Sequence, residues 1–249
     1  MKNKLYILNN VNKIIHDGNK KKHILNNISF DIEFNDFFGI IGDSGAGKST
    51  LLHILGGMDT ISSGKIFCNN KELNKTKNKM AHFRRNIGFI FQSFQLINHL
   101  NVYSNVAAPL IISKLDKQKI EKKVQNALIN VNFIKDRKDR RIYQLPKTLS
   151  GGEKQRVAIA RAIVNNPKVI LADEPTGSLD SKNTNNILEL LKLINKKMKI
   201  TIIIVTHDNK ILSQCCSKAI YIEDGKIIET YEYKNGQVSN IIQNSTEEI

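Results

Sequence analysis

The segment Gly42-Asp43-Ser44-Gly45-Ala46-Gly47-Lys48-Ser49 fits the pattern G-x-x-x-x-G-K-[ST], and its flanks restrict the folds open to this chain. Ahead of it runs Phe37-Phe38-Gly39-Ile40-Ile41, a short apolar stretch of strand type, and behind it Ser49 to Leu55 is amphipathic. Strand, glycine-rich turn and helix, in that order, is the context in which the pattern cradles phosphate. Glycines let successive backbone N–H groups curl around a β-phosphate, and the helix start adds partial positive charge. Gly42, Asp43, Ser44, Gly45, Ala46, Gly47, Lys48, Ser49 and Thr50 are therefore the expected cradle for a nucleoside triphosphate. Lys48 is expected at the β- and γ-phosphates, and the Ser49 hydroxyl on Mg²⁺.

A second anion site is expected at Leu149-Ser150-Gly151-Gly152-Glu153-Lys154-Gln155-Arg156. Pro146 blocks extension of a helix toward the N-terminus, and Ser150 is a good N-cap. Gly151 and Gly152 leave first-turn N–H groups unshielded. From Gln155 onward Val157, Ile159, Ala160 and Ile163 make a mostly apolar helix that ends near Asn165-Asn166-Pro167. Taken alone, a Ser-Gly-Gly turn is a plain helix cap.

Its company decides otherwise. Leu149 to Arg156 resembles the signature motif of ATP-binding cassette (ABC) ATPases, and the remaining motifs follow in that family's order. Gln92, in Phe91-Gln92-Ser93-Phe94-Gln95, is similar to the Q-loop. Val169 to Pro175 resembles the Walker B strand with its glutamate, Glu174. Ser178-Leu179-Asp180 matches the D-loop, and His207 in Val205-Thr206-His207-Asp208 the switch histidine. The resemblance spans about Leu5 to Glu229. It implies an α/β P-loop NTPase core with a parallel sheet, an N-terminal antiparallel β subdomain and an inserted α-helical subdomain at about 93–165. One ATPase domain over 1–231 and a polar, loosely ordered tail over 232–249 are expected.

The resemblance also distributes roles. Asp173, at the end of an apolar strand, is expected to hold Mg²⁺ with Ser49, Gln92 to touch the metal or the attacking water, and Glu174 to polarise that water. His207 is expected at the γ-phosphate, with Lys48 neutralising charge. Ser150, Gly151 and Gly152 of one chain close over ATP bound to another, in a homodimer or pseudo-dimer. Asp180 is expected at a subunit contact, unless it only starts the helix over Asn183–Lys196. Related chains place an aromatic on adenine some twenty-five residues before the cradle, and here Ile15 stands at that place with His16 beside it. The stretch Phe91 to Val106 is similar to the lipoprotein-releasing and macrolide- or peptide-export branch, in which the ATPase powers a separate integral membrane permease.

Coarse periodicity agrees with this division. Strands are expected at Leu5–Asn10, Ile28–Ile32, Phe37–Ile41, Gly64–Cys68, Ile87–Phe91, Val169–Asp173 and Ile200–Thr206. Helices are expected at Asn101–Ile112, Lys117–Val131, from Ser150, and at Asn183–Lys196. No stretch has the 18 or more apolar residues of a membrane span. The N-terminus lacks the pattern of a signal peptide, and three cysteines, an odd count, argue against a disulfide framework. A cytoplasmic protein held at the inner membrane face by a permease is the expectation. The net charge of +15 reads as lysine-rich composition, without the aromatic interleaving of single-strand binders, so no specific nucleic acid is expected. The alternatives are a soluble ABC ATPase of the iron–sulfur assembly type and a basic nucleic-acid-binding module.

Overall fold

The computed structural model describes residues 3–18, 20–73 and 86–243. The chain divides into two compact units: Met1–Arg84 with Asn195–Ile249, and Arg85–Ile194. The helical stretch expected at about 93–165 lies within the second, which also includes β6 (Ile87–Ile90) and β7 (Val169–Asp173).

The first unit opens with two long strands, β1 (Lys4–Asp17) and β2 (Lys20–Glu33), paired antiparallel. With β4 (Ser63–Cys68) and β5 (Lys71–Glu72) they form a four-stranded antiparallel sheet in the order β2-β1-β4-β5. Both long strands run well past the apolar cores that sequence singles out, because their polar ends pair in register: Ile15 faces Lys22 and His16 faces Lys21. β3 (Phe37–Gly42) is buried along its whole length, as its unbroken apolar run requires of a strand covered on both faces. It pairs in parallel with β8 (Thr201–Val205) on one side and β9 (Lys218–Glu223) on the other. α1 (Lys48–Leu55) follows β3 and buries Leu51, Leu52, Ile54 and Leu55. α6 (Asn209–Cys215) joins β8 to β9.

β9 continues antiparallel into β10 (Lys226–Lys234), and β10 into β11 (Gln237–Gln243). The expectation of a loosely ordered tail from about Glu232 is corrected through Gln243. Backbone pairing orders β11 although every one of its side chains is exposed, so a reading based on what can be buried misses it. Residues 244–249 lie outside the described residues.

In the second unit β6 and β7 pair in parallel, Ile90 against Ala172. Among the described residues of this unit three α-helices precede β7, each with an N-cap of the kind that satisfies orphan first-turn N–H groups. Asn101 caps α2 (Val102–Ile112) by accepting from Ser104 N, Asp116 caps α3 (Lys117–Asn130), and Ser150 caps α4 (Gly151–Ile163). Val106, Leu110, Val124, Leu128 and Ile159 are fully buried among them. α5 (Ser181–Met198) leads out of this unit toward β8.

One buried bond ties the N-terminal sheet to the helix behind the cradle. Tyr6, fully buried, donates from its hydroxyl to Leu55 O at 2.9 Å, the last carbonyl of α1. Removing the hydroxyl leaves a buried carbonyl short of a donor. Tyr6→Phe should therefore lower stability by about 1–2 kcal/mol. Urea titration should show a lower midpoint with an unchanged slope.

Candidate nucleotide site

In the first unit the cradle forms at the carboxyl end of β3. Gly42 has φ +152°, and a Cβ there would lie 2.0 Å from Ile222 O, so the turn against β9 admits glycine alone. Gly47, at φ +99°, is the N-cap of α1 and has no side chain with which to cap it, so the first-turn N–H groups are left for a ligand. Lys48 is 8% exposed, and its ammonium donates to Gly42 O at 2.8 Å and Asp43 O at 2.6 Å. Desolvating an ammonium is expensive unless it is well hydrogen-bonded, and here the loop's own carbonyls supply the bonds. The side chain thus bridges the ends of the turn from inside. Asp43, Ser44, Gly45 and Ser49 are exposed, Ala46 is buried and Thr50 half-buried.

His207 belongs to the same unit and the same strand ends. Val205 pairs with Ile40, Thr206 N donates to Ile40 O at 3.1 Å, and exposed His207 follows directly. β3 and β8 are adjacent and parallel, so the cradle and His207 emerge at neighbouring carboxyl ends. That is where ligands bind in open α/β sheets. Ile15 lies on β1 opposite Lys22 and is 46% exposed. The β2 backbone at Ile24 touches the cradle, since a Cβ on Gly47 would stand 2.6 Å from Ile24 O. Ile15 therefore sits on a hairpin whose other strand borders the phosphate turn.

The second unit gathers a different set. Asp173 ends β7 and Gln92 follows β6, again at neighbouring carboxyl ends of a parallel pair. Gly177 lies between two candidate groups: a Cβ on it would be 2.9 Å from Gln92 Nε2 and 3.4 Å from Glu174 Oε2. Ser178 Oγ donates to Gln92 O at 3.2 Å. Glu174 has φ +43°, a conformation that is uncommon outside glycine, asparagine and aspartate and that concentrates at functional sites.

At the start of α4 the Ser150 hydroxyl accepts from Glu153 N, and the Glu153 carboxylate accepts from Ser150 N at 2.9 Å and Ser150 Oγ at 2.9 Å. This is a reciprocal capping box. The backbone bond from Ser150 holds the Glu153 carboxyl below its usual range. The N–H groups of Gly151 and Gly152 take no part in the box, which agrees with an open helix start. Asp180 accepts from Asn183 N at 3.0 Å and from Asn183 Nδ2 at 2.6 Å, and these bonds hold its carboxyl below the usual range. Within this chain Asp180 starts α5, the plainer of its two expected roles.

Sequence reasoning missed three side chains that shape the second unit. Arg161, in the last turn of α4, donates to Gln95 O at 2.5 Å and Phe94 O at 2.8 Å. Phe94 and Gln95 both have positive φ, so the guanidinium fork grips a doubly strained turn just beyond Gln92. Fully buried Asn105 accepts from Ile97 N and donates to Ile97 O, Leu100 O and Asn101 O. Gln155 is the third. The signal available in sequence was a polar residue at a helix position whose neighbours are apolar.

Ser49, Gln92 and Asp173 offer a hydroxyl, an amide and a carboxylate, the oxygen chemistry that a hard divalent cation takes. Among the described residues no group of three or more His, Cys, Asp or Glu could hold a metal. A cation taken up by any of these groups would draw the rest of its shell from phosphate oxygens and water, as is usual for Mg²⁺.

Comparisons with known proteins identify the family. The ABC transporter family profile matches residues 25–177. Methionine import ATP-binding protein MetN 1 of Staphylococcus epidermidis is 42% identical over 221 residues, 88% of this chain and 63% of that protein. MetN of Mannheimia succiniciproducens is 42% identical over 243 residues, 97% of this chain and 68% of the relative. Among solved structures, the ATP-binding cassette MJ0796, a dimer bound to ADP and Pi, superposes with TM-score 0.82 at 36% identity, covering 91% of this chain and 98% of its own. CbiO1 of Clostridium perfringens, part of the transporter complex cbiONQ, gives 0.81 at 31% identity, covering 92% and 88%. The chain belongs to the ABC transporter family, and its fold is the ABC ATPase fold. It spans less than two thirds of the length of the Staphylococcus epidermidis relative. Both curated relatives are named for import, whereas residues 91–106 suggested an exporter's cassette.

Proposed function

We propose that this chain is the ATP-hydrolysing subunit of an ABC transporter and powers a separate integral membrane permease by closing with a second cassette around ATP. The observation that carries the reading is the pairing of Gln92 and Glu174 about Gly177, with Glu174 held in a left-handed backbone conformation. A carboxylate kept in a costly conformation beside an amide, one residue past an apolar strand, is suited to orienting a water.

The roles follow from chemistry. The amides of residues 43–50 wrap the β-phosphate. Lys48 exchanges its bonds to Gly42 O and Asp43 O for phosphate oxygens, so the buried ammonium stays satisfied. Ser49, Asp173 and Gln92 would hold Mg²⁺, which when bound would neutralise charge on the triphosphate. Glu174 takes the proton of the attacking water, and His207 steadies the γ-phosphate. The Ser150 hydroxyl and the N–H groups of Gly151 and Gly152 cap the γ-phosphate of ATP on the other subunit of a homodimer or pseudo-dimer. The dimeric MJ0796 cassette with ADP and Pi supports the dimer in this reading.

The relatives' names favour transport over iron–sulfur assembly or nucleic-acid binding. They also favour import over the lipoprotein, macrolide or peptide export branch, so methionine is the first substrate to try with a neighbouring permease. No helix among the described residues is long and apolar enough to cross a membrane. On this reading the subunit works at the cytoplasmic face of the membrane, attached through its permease.

If Glu174 is the base, Glu174→Gln keeps MgATP binding and loses only water activation. Turnover should fall about 100-fold or more, and light scattering should show an ATP-dependent dimer that no longer dissociates. Turnover near the wild-type rate would remove Glu174 from the role.

Ile15 offers adenine apolar contact without a π-face, and base–aromatic stacking contributes roughly 1–3 kcal/mol. Ile15→Tyr should therefore lower the KM for ATP about fivefold or more, the low end of that range. An unchanged KM, together with weaker ATP binding in His16→Ala, would make His16 the stacking residue instead.

A further inference from the structure

Gln155 sits in α4 five residues after Ser150, fully buried, with Val157, Ala158 and Ile159 buried beyond it. Its Nε2 donates to Pro175 O at 2.5 Å. Which amide atom faces Pro175 is settled by chemistry, since a carbonyl oxygen only accepts. The other atom, Oε1, is buried without a hydrogen-bond partner among the described residues. An amide on an apolar helix, satisfied on one side only, is a poor choice for packing alone.

Pro175 directly follows Glu174, so Gln155 grips the strained turn that carries the proposed base. The other end of the same segment is held by the start of α4. A Cβ on Gly152 would come within 2.8 Å of Asn183 Oδ1, and one on Gly151 within 3.3 Å of Leu179 Cδ2. Asn183 is in turn bonded to Asp180. The first turns of α4 thus contact the stretch from Pro175 to Asn183 at both ends. A shift of the Ser150–Gly152 turn has to be taken up by that stretch, because close-packed groups do not deform continuously.

We propose that Gln155 is a positioning residue that couples the state of the Ser150–Gly152 turn to the geometry of Glu174 in the same chain. The proposal rests on the composite-site reading above. In that reading Ser150–Gly152 serves ATP on the partner subunit, while Glu174 acts on ATP held by its own cradle. Gln155 therefore links the two ATP sites of the dimer. Engagement of one site sets the base of the other, and hydrolysis becomes cooperative in ATP. Such a link is a coupling free energy between sites.

The test uses the full chain with Gln155→Met, which keeps length and burial while removing both the donor and the orphan oxygen. Gln155→Leu serves as a second variant should Met fold poorly. ATPase rate is measured against ATP concentration, with melting temperature and ATP binding by monomer measured in parallel. Wild type is expected to show a Hill coefficient above 1. The variant should melt within a few degrees of wild type and bind ATP within about twofold. Its kcat should fall about tenfold, within the usual range of intersite coupling, and its Hill coefficient should fall to 1. A variant that keeps wild-type kcat and cooperativity overturns the proposal. So does one whose activity falls only in step with a large loss of melting temperature, which is the mark of a packing role. A wild type that neither hydrolyses ATP nor dimerises with it would instead contradict the composite-site reading itself.

Discussion

The buried ammonium of Lys48 is the interaction around which the first unit is arranged. Held by Gly42 O and Asp43 O, it fixes the shape of a turn that opens a helix with no side-chain cap. That arrangement needs glycine at residue 42, because Ile222 on β9 leaves no room for a Cβ. It also needs β3 to be a buried parallel strand, so that the turn emerges at a carboxyl edge beside His207. An anion site made largely of backbone dipoles held in a fixed turn needs little reorganisation when phosphate binds, beyond the exchange of the Lys48 bonds.

The second unit solves a different problem with the same grammar. Here too a parallel pair, β6 and β7, delivers polar groups at neighbouring carboxyl ends, and a helix start offers N–H groups. Its irregular segments are not left loose. Arg161 clamps the turn after Gln92, Asn105 organises residues 97–101, and Gln155 holds the turn after Glu174. Each uses backbone carbonyls as acceptors, which binds a loop's path without depending on the loop's side chains. This lets strained residues such as Glu174, Phe94 and Gln95 persist, because the surroundings over-determine them.

Much of the candidate site is legible in sequence because its determinants are local. The Gly42–Ser49 turn, the apolar strand ending at Asp173 and the Ser150 cap are each specified by residues within one turn or strand, and strand β7 begins and ends at the residues expected. Asp180 was legible as well, in its plainer role as a helix start. Less was visible where pairing carries the structure. β10 reads Lys-Ile-Ile-Glu-Thr-Tyr-Glu-Tyr-Lys, with no clean alternation, and β11 buries nothing, so backbone pairing, of β10 with β9 and of β11 with β10, makes them strands. The length of β1 and β2 was hidden for the same reason. Gln155 and Arg161 stand in a sequence that looks like any amphipathic helix, and their meaning depends on carbonyls some twenty and some sixty-five residues away.

The central claim is that each ATP site is built from two chains, the cradle of one and the Ser150–Gly152 turn of the other. Mixing two inactive variants tests it most directly. Ser150→Arg places a bulky cation where the γ-phosphate must dock but leaves Gly42–Ser49 intact. Lys48→Ala disables the cradle and leaves the turn intact. Each alone should bind or cap but not hydrolyse. In a mixed dimer one site combines the intact cradle with the intact turn, and the account predicts that ATPase activity returns on mixing. A mixture no more active than the separate variants would show that both parts must come from one chain, and would contradict the account.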